Sequence, residues 1–386
     1  MGFVFETAPK IIVEDAGAAR LGEIARGLGV RHALMVTDPW LADSGLLAPA
    51  LASCAAAGVQ ITLYRDVQAD PPQAVVLACA AEAKAAGVDG VIGFGGGSSM
   101  DTAKLAALLV GGGEALTEVY GVDKAKGPRL PLIQVPTTAG TGSEATAVAI
   151  VTTPDDQKMG VVSPHLLPDV ALLDATLTLG LPPAVTAMTG IDAMVHAIEA
   201  YTSRIKKNPI SDSLALKALE LLAGAIRAVI ADGANLDARR DMLVGSLLAG
   251  MAFANSPVGA VHALAYPLGG LFHVPHGLSN ALVLTPVLEF NLPAAGRLYA
   301  ELDRVVSPDA PVVSEAEGAR RFVAFMSALV ADMPMAQRLE EVGVGRQDLE
   351  RLARDAMNVQ RLLINNPRDV TYDDALGIYG AVLVQA

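Results

Sequence analysis

Four polar side chains in the second half of the chain have residue types and spacing that could bind a metal ion. Asp192 and His196 are four residues apart, so on a helix they would share one face. His262 and His276 follow at the far end of the same apolar region. Any one of these histidines would ordinarily be a core or surface residue with its own partners. The four together favour one shared ion.

The types of the four ligands narrow the choice of metal. Imidazole and carboxylate without thiolate suit Fe, Zn, Ni or Mn. Zinc with four protein ligands is commonly a closed structural site, whereas catalysis needs an open position. A metal that accepts five or six ligands keeps that position, which favours Fe(II), with Zn(II) as a plausible substitute.

A glycine run in the first half, Gly95-Gly96-Gly97-Ser98, lies between a predicted strand and a predicted helix that begins near Met100. Without side chains its backbone could approach a diphosphate at the helix N-terminus. It is neither GxGxxG nor a P-loop. The alternative is a tight turn capped by Ser98 or Ser99.

A second loop, PTTAGTGSE at 136–144, also follows a predicted strand and contains Thr137, Thr138 and Thr141. Two loops at the carboxyl ends of parallel strands could line one ligand crevice, although a Ser/Thr-rich turn is the alternative. Asp38 follows a third strand. It could bind a ribose hydroxyl and repel a 2′-phosphate, which favours NAD over NADP. It could equally be a helix N-cap before Pro39.

The elements that must position these residues differ between the two halves. Strands at 33–37, 59–63, 88–94 and 132–135 alternate with helices at 18–28, 41–57 and 72–86, which predicts a parallel sheet covered on both faces. Shorter strands at 146–153, 158–162 and 170–174 indicate an antiparallel edge. Helical spacing then dominates, at 184–201, 211–230, 236–255, 261–271, 319–331 and 349–357. We place the boundary near Leu181, between an α/β Rossmann-like domain (1–181) and an all-α domain (182–386).

Composition excludes some classes of partner. The 386 residues carry a net charge of −13, which argues against nucleic acid and against an anionic membrane surface. No run approaches the roughly 18 uncharged residues of a membrane span, and no secretory signal is visible. Cys54 and Cys79 lie in Ala-rich helical patterns and are interpreted as core thiols of a cytoplasmic protein.

Four motifs, in matching order over essentially the whole chain, resemble the iron-containing (group III) alcohol dehydrogenases: GGGSSMDTAK (95–104), PTTAGTGSE (136–144), GIDAMVHAIEAY (190–201) and VHALAYPLGG with PHGLSN (261–280). The resemblance implies the dehydroquinate synthase-like architecture, with an active site in the cleft between the domains. It implies that the metal ligands are Asp192, His196, His262 and His276, and that the cofactor-binding residues are Asp38, Gly95, Gly96, Gly97, Ser98, Asp101, Thr137, Thr138, Thr141 and Lys158.

The chain departs from the family pattern at two positions. Many members have a histidine where this chain has Tyr266, and a phenol can relay a proton but does not titrate near neutrality. His273 is a second candidate for the relay, or simply a solvated loop histidine. Val148 is apolar where some diol-handling members have a polar residue, which argues against a 1,2-diol substrate.

The expected function is reversible hydride transfer between a small primary or secondary alcohol and NAD(H), by a homo-oligomer (a dimer or larger). Reduction of a maleylacetate-like oxo-acid or a hydroxyacid on the same scaffold is the first alternative. It would need basic residues near the metal, and none lies beside these motifs in the sequence. The remaining alternative functions are an NAD- and metal-dependent lyase resembling dehydroquinate synthase and a non-catalytic NAD-sensing module.

Overall fold

Residues 6–180 are built around a parallel sheet. The computed structural model describes residues 2–155 and 157–383, which form two units: 6–180, and 181–383 with residues 2–5. The strands described in the first unit are β1 Ile11–Val13, β2 His32–Val36, β3 Gln60–Tyr64, β4 Gly90–Gly95, β5 Gly121–Val122, β6 Leu132–Pro136, β7 Val148–Thr152, β8 Lys158–Val162 and β9 Val170–Leu173. Its helices are α1 Leu21–Gly27, α2 Pro39–Ser44, α3 Ala48–Ala56, α4 Gln73–Ala86, α5 Gly97–Gly112 and α6 Leu116–Val119.

The main sheet has the order β1-β9-β6-β4-β2-β3, and all its pairings are parallel. Alternate residues of a strand point to opposite faces, and both faces are buried. Met35 packs in one core cluster with residues of α1 and α3, whereas Leu34 and Val36 pack in another with residues of α4 and α5. This confirms the predicted parallel sheet with helices on both faces.

Several details of the first unit differ from the sequence prediction. The single helix predicted at 41–57 is two helices, separated at Gly45, whose φ of +83° ends α2. The strand near 170–174 joins the parallel sheet, and β1, which was not predicted, pairs beside it. Among the described strands, only β7 and β8 pair in antiparallel fashion, in a separate small sheet in which β5 pairs parallel to β8.

The second unit is helical, as predicted. Its helices are α7 Pro183–Thr202, α8 Pro209–Ala231, α9 Leu236–Asn255, α10 Ala260–Phe272, α11 His276–Val306, α12 Glu315–Ala331, α13 Leu349–Met357, α14 Gln360–Leu363 and α15 Tyr372–Leu383. The 31-residue α11 was missed because Pro286 and Pro293 lie inside it, and proline ordinarily interrupts a helix.

Both cysteines are completely buried, which confirms that they are core thiols. Burial raises the pKa of Cys54 to about 11 and that of Cys79 still further. In the described residues no single helix has the length and hydropathy of a membrane span. Helices α9 and α10 have that length and hydropathy only when taken together, and a bend of 104° separates them.

Candidate metal centre and nucleotide loops

The second unit brings the four predicted metal ligands together. Asp192 and His196 lie one turn apart on α7, His262 is the third residue of α10, and His276 is the first residue of α11. One potential ligand atom from each lies within 4.8 Å of all the others. Three helices therefore converge on one point, although 84 residues separate the first and last ligand positions in the sequence.

The residue after His276 explains how α11 can begin so close to α7. A Cβ atom at Gly277 would lie only 2.4 Å from the carbonyl oxygen of Met188. Any other residue there would push the two helices apart. Gly277 therefore allows His276 to reach the ligands on α7.

The distances between the potential ligand atoms fit a metal ion. Nε2 of His262 lies 3.0 Å from Nε2 of His196 and 3.9 Å from Oδ1 of Asp192, and Nε2 of His276 lies 3.6 Å from the same oxygen. Ligands bound at about 2.1 Å are separated by about 3.0–3.5 Å when adjacent and by about 4.2 Å when opposite. The donor set and its spacing therefore fit a divalent ion.

Glu199, one turn beyond His196 on α7, is a buried residue that the sequence analysis missed. Its Oε2 lies 2.6 Å from Nδ1 of His262, and its Oε1 accepts a hydrogen bond of 2.7 Å from the backbone N–H of Val261. Because a carboxylate only accepts, the Nδ1 of His262 must carry the proton. Nε2 of His262 then faces the other ligands, as in metal-binding histidines whose second nitrogen donates to a carboxylate.

Asn280, one turn into α11, was also missed. Its Nδ2 lies 2.5 Å from Oδ1 of Asp192 and 3.2–3.3 Å from Nε2 of His262 and His276, while its buried Oδ1 has no hydrogen-bond partner among the described residues. Burial raises the pKa of Asp192, but the three histidines and this amide together hold the pKa below its ordinary value. Asp192 is therefore a carboxylate at neutral pH.

The two candidates for proton transfer have different surroundings. The ring of Tyr266 lies beside that of His276, with 6.3 Å between the centroids, and its phenol oxygen accepts a hydrogen bond of 3.2 Å from Arg361. His273 is exposed and ends α10 with a φ of +54°. Tyr266 thus lies next to a metal-ligand candidate. His273 is solvent-exposed, as expected if it is simply a solvated loop histidine.

In the first unit the two predicted nucleotide loops are neighbours. Strands β4 and β6 pair so that Gly95 faces Pro136, and the backbone N–H of Thr137 donates to the oxygen of Gly95. A Cβ atom at Gly97 would lie 2.8 Å from Cγ2 of Thr141. The chain turns tightly from β4 into α5, which begins at Gly97 without a side-chain cap, so the predicted capping by Ser98 or Ser99 is wrong.

Helix α5 anchors the second loop to the first. Asp101 accepts hydrogen bonds from the hydroxyl of Ser143 (2.6 Å) and the backbone N–H of Ile150 (2.9 Å). The buried ammonium of Lys104 donates to Ser143, Thr146 and the carbonyl of Val148. These contacts give Asp101 a structural role, whereas its contact with a cofactor stays a prediction.

The two outer cofactor candidates, Asp38 and Lys158, both have structural partners. Asp38 caps α2 by accepting a 2.9 Å hydrogen bond from the N–H of Leu41, which confirms the capping role and leaves ribose binding a prediction. Lys158 forms a 2.7 Å ion pair with Asp70, whose N–H donates to the hydroxyl of Ser98. Lys158 is thus linked through one residue to the glycine run.

Comparison with known proteins matches both units to one class of enzyme. Residues 8–175 match the model described as iron-containing alcohol dehydrogenase, and residues 186–383 match that of the C-terminal part of the Fe-containing alcohol dehydrogenase family. Long-chain-alcohol dehydrogenase 1 of Geobacillus thermodenitrificans (strain NG80-2) is 39% identical over 357 residues, which are 92% of this chain and 90% of that protein.

Two solved structures give the same result. A crystal structure of 1,3-propanediol oxidoreductase has a TM-score of 0.96 at 32% identity, covering 99% of this chain and 100% of that one. Sulfoacetaldehyde reductase from Bifidobacterium kashiwanohense in complex with NAD+ has a TM-score of 0.88 at 28% identity, covering 100% of both chains. These matches define an alcohol/aldehyde oxidoreductase. The chain belongs to the iron-containing alcohol dehydrogenase family, which confirms the resemblance and the expected fold class.

Proposed function

We propose that this enzyme interconverts small primary or secondary alcohols and the corresponding aldehydes or ketones with NAD(H), using a divalent metal held by the four ligands. The observation that carries the proposal is the convergence of four buried or half-buried ligand atoms within 4.8 Å of one another. Fe(II) is the proposed native metal and Zn(II) the substitute. Bound there, the ion would act as a Lewis acid on the alcohol or carbonyl oxygen.

The chain's own residues have distinct roles in this proposal. Asp192 and the three histidines hold the ion, and Glu199 keeps the lone pair of His262 directed toward it. The phenol of Tyr266, or else His273, passes the substrate's proton to solvent. Tyr266 is the better placed, because its ring packs against that of His276.

Cofactor binding is proposed for the loops of the first unit. The glycine run 95–98 would hold the diphosphate, the threonines of the second loop would contact the nicotinamide side together with Asp101 and Lys158, and Asp38 would bind the ribose. The carboxylate of Asp38 supports NAD rather than NADP. The NAD+ held by the Bifidobacterium relative is consistent with this choice.

The test is His262→Ala. The variant should lose bound metal and turnover and keep NAD binding nearly intact, because its change lies in the helical unit. Metal content by elemental analysis of anaerobically purified protein, NADH formation with short alcohols, and NAD titration measure the three properties. Retained activity in the variant would reject the ligand assignment. Absence of NADH formation by the wild type with every alcohol would favour the lyase or sensor alternatives.

We further propose a cytoplasmic homo-oligomer with domains at 1–181 and 182–386. The buried, reduced cysteines support the compartment. Light scattering on purified protein would give the oligomeric state, and a monomer at micromolar concentration would contradict this part of the proposal.

A further inference from the structure

The metal cluster reaches solvent on one side. The side chain of His276 is 37% exposed, whereas those of Asp192 and His262 are 3% and 4% exposed. The ring of Tyr266 lies on this side, tilted by 54° against the ring of His276. His276 is therefore the most exposed of these ligands, and Tyr266 lies beside it.

An arginine from a distant part of the sequence contacts this tyrosine. Arg361, on α14, donates to the phenol oxygen of Tyr266, and its guanidinium carbon lies 5.7 Å from the centre of that ring. Its side chain is exposed, and none of the ion pairs found in residues 2–155 and 157–383 includes it. In a chain with 41 acidic and 28 basic residues, an arginine beside Tyr266 that has no carboxylate partner among the described residues is unexpected.

The remaining donors of Arg361 match one kind of ligand. A guanidinium has five N–H groups in a planar fork, and the contact with Tyr266 uses one of its nitrogens. The second N–H of that nitrogen, together with an N–H of a neighbouring guanidinium nitrogen, can still donate to two oxygens of a carboxylate, sulfonate or phosphate, in the bidentate manner that gives arginine its selectivity for oxyanions. One aromatic ring separates this fork from His276, so a short molecule could span both.

We propose that Arg361 forms an oxyanion subsite and that the preferred substrate is a short aldehyde with an anionic group at its other end. This inference rests on the proposed function and makes its substrate class specific. Arg361 lies outside the metal-binding motifs, so it is compatible with the absence of basic residues beside those motifs in the sequence. Sequence could not reveal it, because Arg361 is 95 residues from Tyr266.

The experiment compares two variants and two pairs of substrates. Arg361→Gln removes the charge but keeps a donor for Tyr266. Arg368→Gln is the matched control, because Arg368 is also exposed and lies over an aromatic ring, with its guanidinium carbon 4.0 Å from the centre of Phe290. Glyoxylate and succinate semialdehyde are each assayed against their neutral methyl esters by NADH oxidation.

The wild type should prefer each anion over its ester by about tenfold or more in kcat/KM. Arg361→Gln should lose about tenfold or more with the anions and less than about threefold with the esters. Arg368→Gln should match the wild type with all four. In metal-free protein, succinate should still bind the wild type in an NMR titration and bind Arg361→Gln much more weakly, because this contact does not involve the metal.

The outcomes separate this inference from the proposed function. If the wild type reduces none of the aldehydes, the proposed function fails. If it reduces esters and anions alike, or if Arg361→Gln affects both equally, the subsite is rejected while the function stands. A rise in KM for NADH with every substrate would place Arg361 on the cofactor instead. Absence of succinate binding to the metal-free wild type would also contradict the subsite.

Discussion

The pair formed by Glu199 and His262 shows how one carboxylate can prepare a ligand. The imidazole has two nitrogens, and only the one without a proton can bind a metal. Glu199 fixes the proton on Nδ1 through a 2.6 Å contact, and the N–H of Val261 holds the other carboxylate oxygen in place. The ring can then neither rotate nor change tautomer without losing a buried hydrogen bond.

We predict that Glu199→Ala weakens metal binding about 10- to 100-fold, the range found when such partners are removed. Glu199→Gln should lose less, because its amide oxygen can still accept from His262. Competition with a chelator measures the affinity, and circular dichroism checks the fold.

Glu220→Gln, at an exposed position of α8, is the control and should bind metal as the wild type does. Equal affinity in Glu199→Ala and the control would mean that Glu199 only fills space. A loss confined to folding stability, with the metal affinity unchanged, would give the same conclusion.

At the scale of elements, the start of α11 depends on its approach to α7. Gly277→Ala places a methyl group where the Met188 carbonyl already lies, so we expect a loss of about 1–3 kcal/mol in stability and weaker metal binding. Gly296→Ala, farther along α11, meets nothing within 4 Å and should stabilise the protein by about 0.5–1 kcal/mol. Thermal unfolding measures the stability change of each variant. Equal stability changes in the two variants would show that α7 and α11 can move apart at Gly277 without loss of stability.

In the second loop, the buried carboxyl of Glu144 lowers the stability of the folded protein to an extent that depends on pH. Burial raises the pKa of Glu144 from 4.5 to about 7, and its Oε1 has no hydrogen-bond partner in the described residues. Between these values the folded protein binds more protons at this site than the unfolded chain, so this carboxyl lowers stability as the pH rises. The contribution reaches roughly 3 kcal/mol above pH 7.

Glu144→Gln should therefore gain stability relative to wild type as the pH rises from 5 to 8 and show little difference near pH 4.5. Denaturant unfolding of cofactor-free protein at several pH values measures the difference. A difference that is constant across this range would show that the side chain of Glu144 is not proton-coupled to folding.

Much of this organisation could be predicted from sequence because it depends on local pattern. Asp192 and His196 share a helical face, and the two loops follow strands whose apolar runs are unmistakable. Glu199, Asn280 and Arg361 could not be found in this way, because their significance comes from contacts made in the tertiary structure. Helix α11 was missed for a related reason: packing along its length outweighs the local effect of its two prolines.

At the scale of the whole molecule, each unit carries one half of the predicted chemistry. Metal removal should therefore increase hydrogen exchange in α7, α10 and α11 and leave β2, β4 and β6 unchanged, because an ion stabilises the structure that binds it. NAD removal should instead increase hydrogen exchange in β2, β4 and β6 and leave α7, α10 and α11 unchanged. Hydrogen-exchange mass spectrometry measures both. Equal changes in both sets of elements on metal removal would contradict a metal site contained in the helical unit.

The burial of both cysteines gives the protein a practical property. Thiol-reactive dyes require an accessible thiolate. Neither Cys54 nor Cys79 has exposed surface, and burial raises the pKa of both thiols, so little thiolate forms at neutral pH. A cysteine introduced at an exposed site, such as Val312→Cys in the helical unit, would thus be the favoured site of labelling without removal of the native residues. Paired with a second label at Lys126→Cys, an exposed position of the α/β unit, it would allow single-molecule fluorescence to measure the distance between the two labels with and without NAD or metal.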